Sequence, residues 1–174
     1  MKDDEKIKKS TYQYSDPNVV FKNLDLFVHL IVNTDTTSLI VTGQPGVGKT
    51  YTVTNSLEKY NADYVKITGR STAQALYIAL YENSEKIIFF DDCDKVLFDT
   101  DSISILKAAL DSNPIREISW LSRGEIKSDT GEIIPDKFKF TGKCIFITNS
   151  PLKKIDQALW SRSMVIEVAF TPED

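Results

Sequence analysis

Hydrophobic and polar residues alternate along this chain in two different patterns. Residues 19–32 place apolar side chains at about every third or fourth position, which predicts an amphipathic helix. From residue 38 onwards, short runs of apolar and β-branched residues are separated by longer stretches with helical spacing. The predicted strands are residues 38–42, 64–67, 86–90, 143–148 and 164–168, and the predicted helices among them are residues 49–60, 72–81, 102–110 and 155–160.

These predicted strands are apolar on both faces, and helices separate most of them. Such strands form parallel sheets that helices cover on both sides, so we expect an α/β three-layer sandwich with right-handed crossovers. One segment interrupts the alternation, because residues 115–121 and 137–140 are strand-like whereas residues 122–135 are polar and contain glycine. This pattern predicts a β-hairpin with a long tip, inserted at about residues 114–141.

The length of the chain and the distribution of its polar residues indicate how its domains are organised. The 174 residues fit one domain with a single hydrophobic core. Residues 1–16 are polar with mixed charge, and we expect them to form a flexible arm ahead of a core at residues 17–174. The sequence contains no apolar run near the roughly 18 residues needed to cross a bilayer, and no signal-peptide pattern. We therefore expect a cytoplasmic protein without a membrane partner.

Composition argues against several classes of chemistry. Two cysteines and one histidine do not support a disulfide scaffold, a zinc site or a catalytic triad centred on histidine. The formal net charge of −4 gives no general signal for nucleic acid or an anionic membrane. Trp120 and Trp160 are expected to pack in the core or in an interface rather than to stack on bases.

The strongest chemical signal is a phosphate-binding loop between the predicted strand 38–42 and the predicted helix 49–60. Glycines let backbone N–H groups converge on phosphate oxygens, and the following helix presents its positive N-terminus. Lys49 is expected to reach the β- and γ-phosphates, Thr50 to bind Mg²⁺ through its hydroxyl, and Tyr51 to line the same site. The loop residues, which match the pattern G-x-x-x-x-G-K-[ST], are Gly43, Gln44, Pro45, Gly46, Val47, Gly48, Lys49 and Thr50.

A second signal is the group of carboxylates that ends the apolar strand 86–90. Parallel strands present their carboxyl ends at one edge of a sheet, so these acids are expected beside the phosphate loop. Asp91 is expected to hold Mg²⁺ through a water molecule, and Asp92 to polarise the water that attacks the γ-phosphate. Asp94 is interpreted as a charge at a helix N-terminus rather than as a ligand.

Two further polar residues stand at the ends of predicted elements. Asn149 follows strand 143–148, where an amide is suited to orient the attacking water, although turns also favour Asn. Arg162 follows the short helix 155–160 just before the last strand, a position that the helix dipole alone would explain. Both residues therefore have a structural explanation beside the functional one.

Taken in order along the chain, these features resemble the core of the AAA+ ATPases. The loop is similar to Walker A, the strand end with Asp91 and Asp92 to Walker B, Asn149 to sensor 1 and Arg162 to the arginine finger. The segment ALWSRSMVIEV also resembles the Ser-Arg-Cys motif of clamp-loader subunits, with Ser163 in place of the cysteine. The resemblance implies that Arg162 reaches the nucleotide of a neighbouring subunit, and hence a ring or open spiral.

The chain departs from the family pattern in three places. The family usually has Glu where this chain has Asp92, which is one methylene shorter. No pore loop of the unfoldase type is evident after strand 64–67, and residues 170–174 resemble the lead-in to a helical lid that is not expected within the chain. From the usual layout of the family, Val19 and Val20 would contact adenine.

The resemblance implies a Mg²⁺-dependent ATPase that remodels a nucleic-acid or protein partner in DNA replication or repair, from a bacterium or its phage. Two alternatives stay open. A superfamily 3-like viral helicase shares the loop, the acidic strand end, Asn149 and the hairpin, and would use the tip at Arg123 and Lys127. A nucleotide-binding assembly switch with little hydrolysis would fit Asp92 and the missing lid.

Overall fold

A computed structural model of the chain describes residues 16–121 and 124–170. The expected arm, apart from Asp16, and the expected lead-in to a lid, apart from Phe170, lie outside the described residues. The α helices are α1 (Pro17–Asn33), α2 (Lys49–Lys59), α3 (Ala73–Glu82), α4 (Lys95–Phe98), α5 (Thr100–Ala109) and α6 (Gln157–Trp160). The strands are β1 (Ser38–Gly43), β2 (Tyr64–Thr68), β3 (Ile87–Asp91), β4 (Arg116–Ser119), β5 (Ile126–Lys127), β6 (Ile133–Ile134), β7 (Lys137–Phe140), β8 (Lys143–Thr148) and β9 (Met164–Val168).

Five strands form a parallel central sheet in the order β2-β3-β8-β1-β9. Strand β8 therefore lies between β1, which leads into the phosphate loop, and β3, which ends in the acidic residues. Because all five strands run in the same direction, their carboxyl ends meet at one edge of the sheet. The expected α/β sandwich with a parallel sheet is confirmed.

Alternate residues of the central strands face two separate layers of the core. Leu39 and Val41 belong to the cluster that α1 and α2 complete, whereas Ile40 belongs to the cluster that contains residues of α3 and α5. Across the second layer, the rings of Phe90 and Phe146 stack with their centroids 5.0 Å apart. The sheet is thus covered on both faces, which explains why its strands are apolar on both sides.

The inserted hairpin is present, but it is built differently from the prediction. Strands β4 and β7 pair antiparallel, and β4 is shorter than the expected 115–121, so that Ile115 and Leu121 are exposed beyond its ends. The expected polar tip contains a second pair, β5 and β6, whose Ile126 and Ile134 are buried. The predicted tip was described only as polar and glycine-containing, whereas two of its apolar side chains anchor this small ladder to the core.

The hairpin is packed against α3 rather than projecting freely. The buried Tyr77 of α3 donates a hydrogen bond of 2.7 Å to the carbonyl oxygen of Pro135. Its ring lies edge-on to Trp120 and Phe138, with centroid distances of 5.6 and 5.2 Å. Trp120 is partly buried in this contact and Trp160 packs against the same core cluster, so the expected packing role of both tryptophans is confirmed.

Capping side chains account for the helix boundaries that the hydrophobic pattern missed. Asp99 accepts a hydrogen bond of 3.0 Å from the backbone N–H of Ser102, so α5 begins at Thr100 rather than at the predicted residue 102. Asp156 accepts from the N–H of Ala158, which starts α6 two residues later than predicted. The short helix α4 was not predicted, because four residues show no clear period.

Candidate functional site

The phosphate loop connects β1 to α2 through backbone conformations that glycine favours. Gly48 caps α2 with φ of 96°, and no side chain donates or accepts at this cap. Gly43 has φ of 144°, and a Cβ atom there would collide with the carbonyl oxygen of Val168 on β9. The loop backbone therefore leaves the first N–H groups of α2 facing outward at the positive end of the helix dipole, which favours an anion.

Lys49 lies across this loop and is nearly completely buried, with 4% of its surface exposed. Its Nζ donates hydrogen bonds to the carbonyl oxygens of Gly43 at 2.8 Å and Gln44 at 2.6 Å, and to Asn149 Oδ1 at 3.0 Å. These three bonds use all three donors of the ammonium group. Burial lowers the pKa of Lys49, while Asp91 and nearby Asp94 act in the opposite direction.

Asp91 stands at the end of β3 with both carboxylate oxygens occupied. Its Oδ1 accepts a hydrogen bond of 2.9 Å from Thr50 Oγ1, and its Oδ2 lies 3.1 Å from Lys66 Nζ. Thr50 and Asp91, which the sequence assigned to the metal, are therefore in direct contact. Lys66 was not singled out from the sequence, because its approach depends on β2 lying beside β3.

The two acids that follow Asp91 differ in their surroundings. Asp92 is exposed and has a left-handed backbone with φ of 57°. Asp94 is the N-cap residue of α4 and so stands at a helix N-terminus, as expected, but its side chain makes no capping hydrogen bond there. Instead its Oδ2 accepts from Ser150 Oγ at 3.4 Å, and its Oδ1 is buried without a hydrogen-bond partner among the described residues. Asp94 thus links the acidic segment to the residue that follows Asn149.

These residues surround a cavity of about 510 Å³ at the carboxyl edge of the sheet. Gly43, Gln44 and Val47 shape the loop without lining this cavity. Its lining residues are Pro45, Gly46, Gly48, Lys49, Thr50, Tyr51, Asp91, Asp92, Ile147 and Asn149. The structure therefore brings the loop, the strand-end acids and Asn149 together around one space.

The donor atoms fit a magnesium ion held jointly with phosphate oxygens. The hydroxyl of Thr50 and the carboxylate of Asp91 are the hard oxygen donors that Mg²⁺ prefers. Within residues 16–121 and 124–170, no cluster of three or more His, Cys, Asp or Glu side chains would hold a metal by itself. A metal at this position would thus need further ligands, which water molecules and the phosphates of a nucleotide could supply.

The valines expected to contact adenine do not line the cavity. Val20 is completely buried against the core cluster that contains α1, so it presents no surface to a ligand, and its assignment was wrong. Val19 is 39% exposed. Tyr51, by contrast, lines the cavity and is 74% exposed, which makes it the accessible aromatic ring next to the loop.

Arg162 lies at the opposite edge of the sheet from this cavity. It precedes β9, whose first residue Met164 pairs with Leu39 near the start of β1, whereas the loop follows the end of β1. Its side chain is exposed, and Nη1 donates a hydrogen bond of 2.7 Å to the carbonyl oxygen of Ala158. Arg162 therefore does not act on the cavity of its own chain.

The turn that carries Arg162 is fixed to the sheet by two serines. Ser38 Oγ, which is buried at the start of β1, lies 2.7 Å from Ser163 Oγ and 3.3 Å from the carbonyl oxygen of Arg162. Ser163 Oγ also lies 2.8 Å from the carbonyl oxygen of Leu159. This small network holds the backbone of Arg162 in place and leaves its guanidinium at the surface.

Comparison with known families and sequences gives two matches. The model of the family described as ATPase family associated with various cellular activities (AAA) matches residues 39–171. An uncharacterized 36.7 kDa protein in the nrdC-mobD intergenic region of Enterobacteria phage T4 is 32% identical over 167 residues. The match covers 87% of this chain and 50% of the phage protein, so the chain spans about half the length of that relative. The source of this relative fits the expected origin in a bacterium or its phage.

Solved structures match the fold at low sequence identity. The P216G mutant of RuvB from Thermotoga maritima has a TM-score of 0.59 and 16% identity, and the match covers 90% of this chain and 47% of RuvB. NtrX from Brucella abortus, solved in complex with ATP, has a TM-score of 0.57 and 15% identity, covering 97% of this chain and 39% of NtrX. At these identities the likeness concerns the fold alone. None of the helices in the described parts of the chain is long and apolar enough to cross a membrane.

Proposed function

The chain belongs to the AAA family of ATPases, and from this we propose that it binds and hydrolyses ATP with Mg²⁺ between the subunits of a ring or spiral. The observation that carries the proposal is the contact of Lys49 with Asn149 beside the contact of Thr50 with Asp91. Residues of the phosphate loop and α2 thus converge with residues at the ends of β3 and β8 on one cavity at the N-terminus of α2.

Binding would exchange the internal partners of the loop for phosphate oxygens. Backbone N–H groups at the start of α2 would donate to the phosphates, and the positive end of the helix dipole would stabilise their charge. The ammonium of Lys49 would leave one or both loop carbonyls and donate to the β- and γ-phosphates. Burial favours this exchange, because the attraction between a cation and an anionic partner is stronger when the cation is desolvated than when it is exposed to water.

Hydrolysis would then depend on the acid and the amide that line the cavity. The water oxygen attacks the γ-phosphorus, the bond to the β–γ bridging oxygen breaks, and ADP and phosphate are the products. Asp92 would accept the proton of the attacking water, and Asn149 would orient that water. Bound Mg²⁺, held by Thr50 and Asp91, would neutralise charge on the phosphate oxygens.

The position of Arg162 supports a reaction shared between subunits. Its guanidinium is exposed at the edge of the sheet opposite the cavity, so it would meet a nucleotide only on another copy of the chain. A cation delivered in this way stabilises charge that develops on the transferred phosphoryl group. The serine network would hold the backbone at Arg162 in one position, so that the guanidinium projects from a defined place on the subunit surface.

The work done by the ring would be the remodelling of a nucleic-acid or protein partner, in DNA replication or repair and in the cytoplasm. One of the structural relatives is described as the RuvB Holliday junction branch migration motor, with a TM-score of 0.56, 16% identity and coverage of 87% of this chain and 44% of that one. In this chain, the outer face of the hairpin carries Glu117, Lys137 and Lys139, a mixture of charges that fits either kind of partner.

The test is an ATPase assay on the complete gene product with Mg²⁺, without DNA and with single-stranded or double-stranded DNA, together with its mass in solution. We expect ATP-dependent assembly and a hydrolysis rate that the true partner increases. Hydrolysis that persists at the full rate in a monomer would contradict the shared site.

A second candidate function is a nucleotide-dependent assembly switch that hydrolyses ATP slowly. The observation that favours it is Asp92, whose carboxylate is shorter than the usual Glu and makes no hydrogen bond to the described residues. A single-turnover assay separates the two functions, since the switch would assemble with ATP but release phosphate much more slowly than it assembles.

A further inference from the structure

Lys66 forms an ion pair with the acid assigned to the metal. Its Nζ lies 3.1 Å from Asp91 Oδ2, and the side chains of Lys66 and Asp91 are 37% and 14% exposed. The lysine comes from β2, the edge strand of the central sheet, and not from the phosphate loop. No feature of the nucleotide site described above requires a cation at this position.

The register of the sheet explains how Lys66 reaches Asp91. Lys66 pairs with Phe89 across the parallel strands β2 and β3, and Asp91 lies two residues further along on the same face. The ammonium extends along the strand and lies 5.5 Å from the centroid of the Phe89 ring. The pair is therefore built into the sheet, since both backbones are fixed by strand hydrogen bonds.

With this pair, each carboxylate oxygen of Asp91 has one partner. Thr50 Oγ1 donates to Oδ1 at 2.9 Å, and Lys66 supplies the positive charge at Oδ2. A divalent cation at this edge of the sheet needs the negative charge of the same carboxylate. The ammonium and the metal are thus alternative counter-ions of one largely buried acid, and each reduces the affinity of Asp91 for the other.

We propose that Lys66 is the counter-ion of Asp91 in the metal-free protein, and that it weakens the affinity of the nucleotide site for a divalent cation. The inference rests on the proposed function, because the metal would bind with the phosphates of ATP. Lys66 is a positioning residue rather than a catalytic one, since it acts on the metal through Asp91. The consequence is that metal binding depends more strongly on the negative charge that nucleotide phosphates add than it would without Lys66.

The experiment measures metal binding directly and does not depend on turnover. Mn²⁺ is titrated into the complete chain with a non-hydrolysable ATP analogue, and free Mn²⁺ is followed by electron paramagnetic resonance. Lys66→Met removes the charge and keeps the apolar stem, and Lys66→Arg keeps the charge. The matched control is Lys86→Met, because Lys86 is also half-exposed and pairs with Asp63 at 3.8 Å away from the cavity.

We expect Lys66→Met to bind Mn²⁺ about two- to fivefold more tightly than the wild type, the range for a partly exposed ion pair. Lys66→Arg and Lys86→Met should bind as the wild type does. The difference in Mn²⁺ affinity between Lys66→Met and the wild type should shrink when KCl is raised from about 0.05 to about 0.5 M, because salt screens the ion pair. An effect of the substitution on folding would not depend on salt in this way. If Lys66→Met is unstable, Lys66→Gln provides a second neutral variant.

Two results would overturn the inference in distinguishable ways. If the wild type binds the analogue and Mn²⁺ but Lys66→Met and Lys66→Gln bind the metal equally well or more weakly, Lys66 does not oppose the metal, and the proposed function is unaffected. If the wild type binds neither the analogue nor Mn²⁺, the proposed function fails and the inference fails with it.

Discussion

Lys49 donates a hydrogen bond of 3.0 Å to Asn149, which joins the phosphate loop to the end of β8. The two residues are 100 positions apart in the sequence and meet because β1 and β8 are neighbours in the sheet. The bond places the amide of Asn149 within reach of the group that would hold the γ-phosphate. Under the proposed function, this one side-chain contact would couple nucleotide binding to the orientation of the attacking water.

Replacement of Lys49 should abolish hydrolysis and weaken nucleotide binding. Lys49→Ala removes the ammonium that would join the loop to the phosphates, and we expect turnover to fall at least about a hundredfold. Steady-state phosphate release and titration calorimetry with an ATP analogue measure the two effects. Lys107→Ala, an exposed lysine on α5, is the control and should leave both values unchanged. Full turnover in Lys49→Ala would contradict the assignment of the loop.

Replacement of Asp92 should separate binding from chemistry. Asp92→Asn keeps the size of the side chain, and asparagine tolerates the left-handed backbone of this position, where φ is 57°. We expect single-turnover hydrolysis to slow about a hundredfold or more, whereas the affinity for ATP stays within about threefold of the wild type. Asp101→Asn on α5 is the matched control. An unchanged single-turnover rate would exclude Asp92 as the base.

Replacement of Arg162 should remove hydrolysis but not nucleotide binding. Under the proposed function its charge would be needed mainly in the transition state, so Arg162→Ala should lose about a thousandfold in turnover with near-normal affinity for ATP. The decisive measurement mixes Arg162→Ala with Lys49→Ala. Some interfaces in a mixed ring combine an intact loop with an intact arginine, so the mixture should regain activity that neither variant has alone. A mixture as inactive as its components would contradict action between subunits.

Alkaline pH should destabilise the contact between the hairpin and α3. Burial, followed by the negative charge of Asp136, raises the pKa of Tyr77 to about 12 from an ordinary value of 10.0. The folded state favours the neutral phenol, so its contribution to stability is complete below about pH 10 and is lost as the pH rises towards 12. Denaturant unfolding at pH 8 and pH 11 should show a larger loss for the wild type than for Tyr77→Phe.

The same variant has a second expected effect at neutral pH. Without the hydroxyl, the carbonyl oxygen of Pro135 loses its bond to Tyr77, which should cost about 1 kcal/mol in the free energy of unfolding. Tyr51→Phe, an exposed tyrosine, should behave as the wild type at both pH values. An equal loss between pH 8 and pH 11 in the wild type and Tyr77→Phe would show that folding does not raise the pKa of Tyr77, and would contradict the prediction.

Much of the architecture could be predicted because local pattern determines it. Strands β8 and β9 have the predicted bounds, since strands buried in a parallel sheet are mainly apolar runs. The phosphate loop could be placed because its backbone requires glycine at fixed positions. Asn149 could be selected because it is the polar residue that directly follows an apolar strand.

The contacts that could not be predicted depend on which strands become neighbours in the sheet. Lys66 lies in a strand whose alternation marks it only as exposed, and its contact with Asp91 arises from the pairing of β2 with β3. The contact of Asp94 with Ser150 likewise joins segments 56 residues apart. Arg162 could be chosen by its place before the last strand, but its position at the far edge of the sheet follows from the parallel pairing of β9 with β1.

The most direct test of the central claim is a crystal structure of the chain with Mg²⁺ and a non-hydrolysable ATP analogue. We predict that the triphosphate lies in the loop at the N-terminus of α2, with Lys49 Nζ moved from the carbonyl oxygens of Gly43 and Gln44 to the β- and γ-phosphates and the metal beside Thr50. An analogue bound in a different groove, or absent from the loop at saturating concentration, would contradict the account.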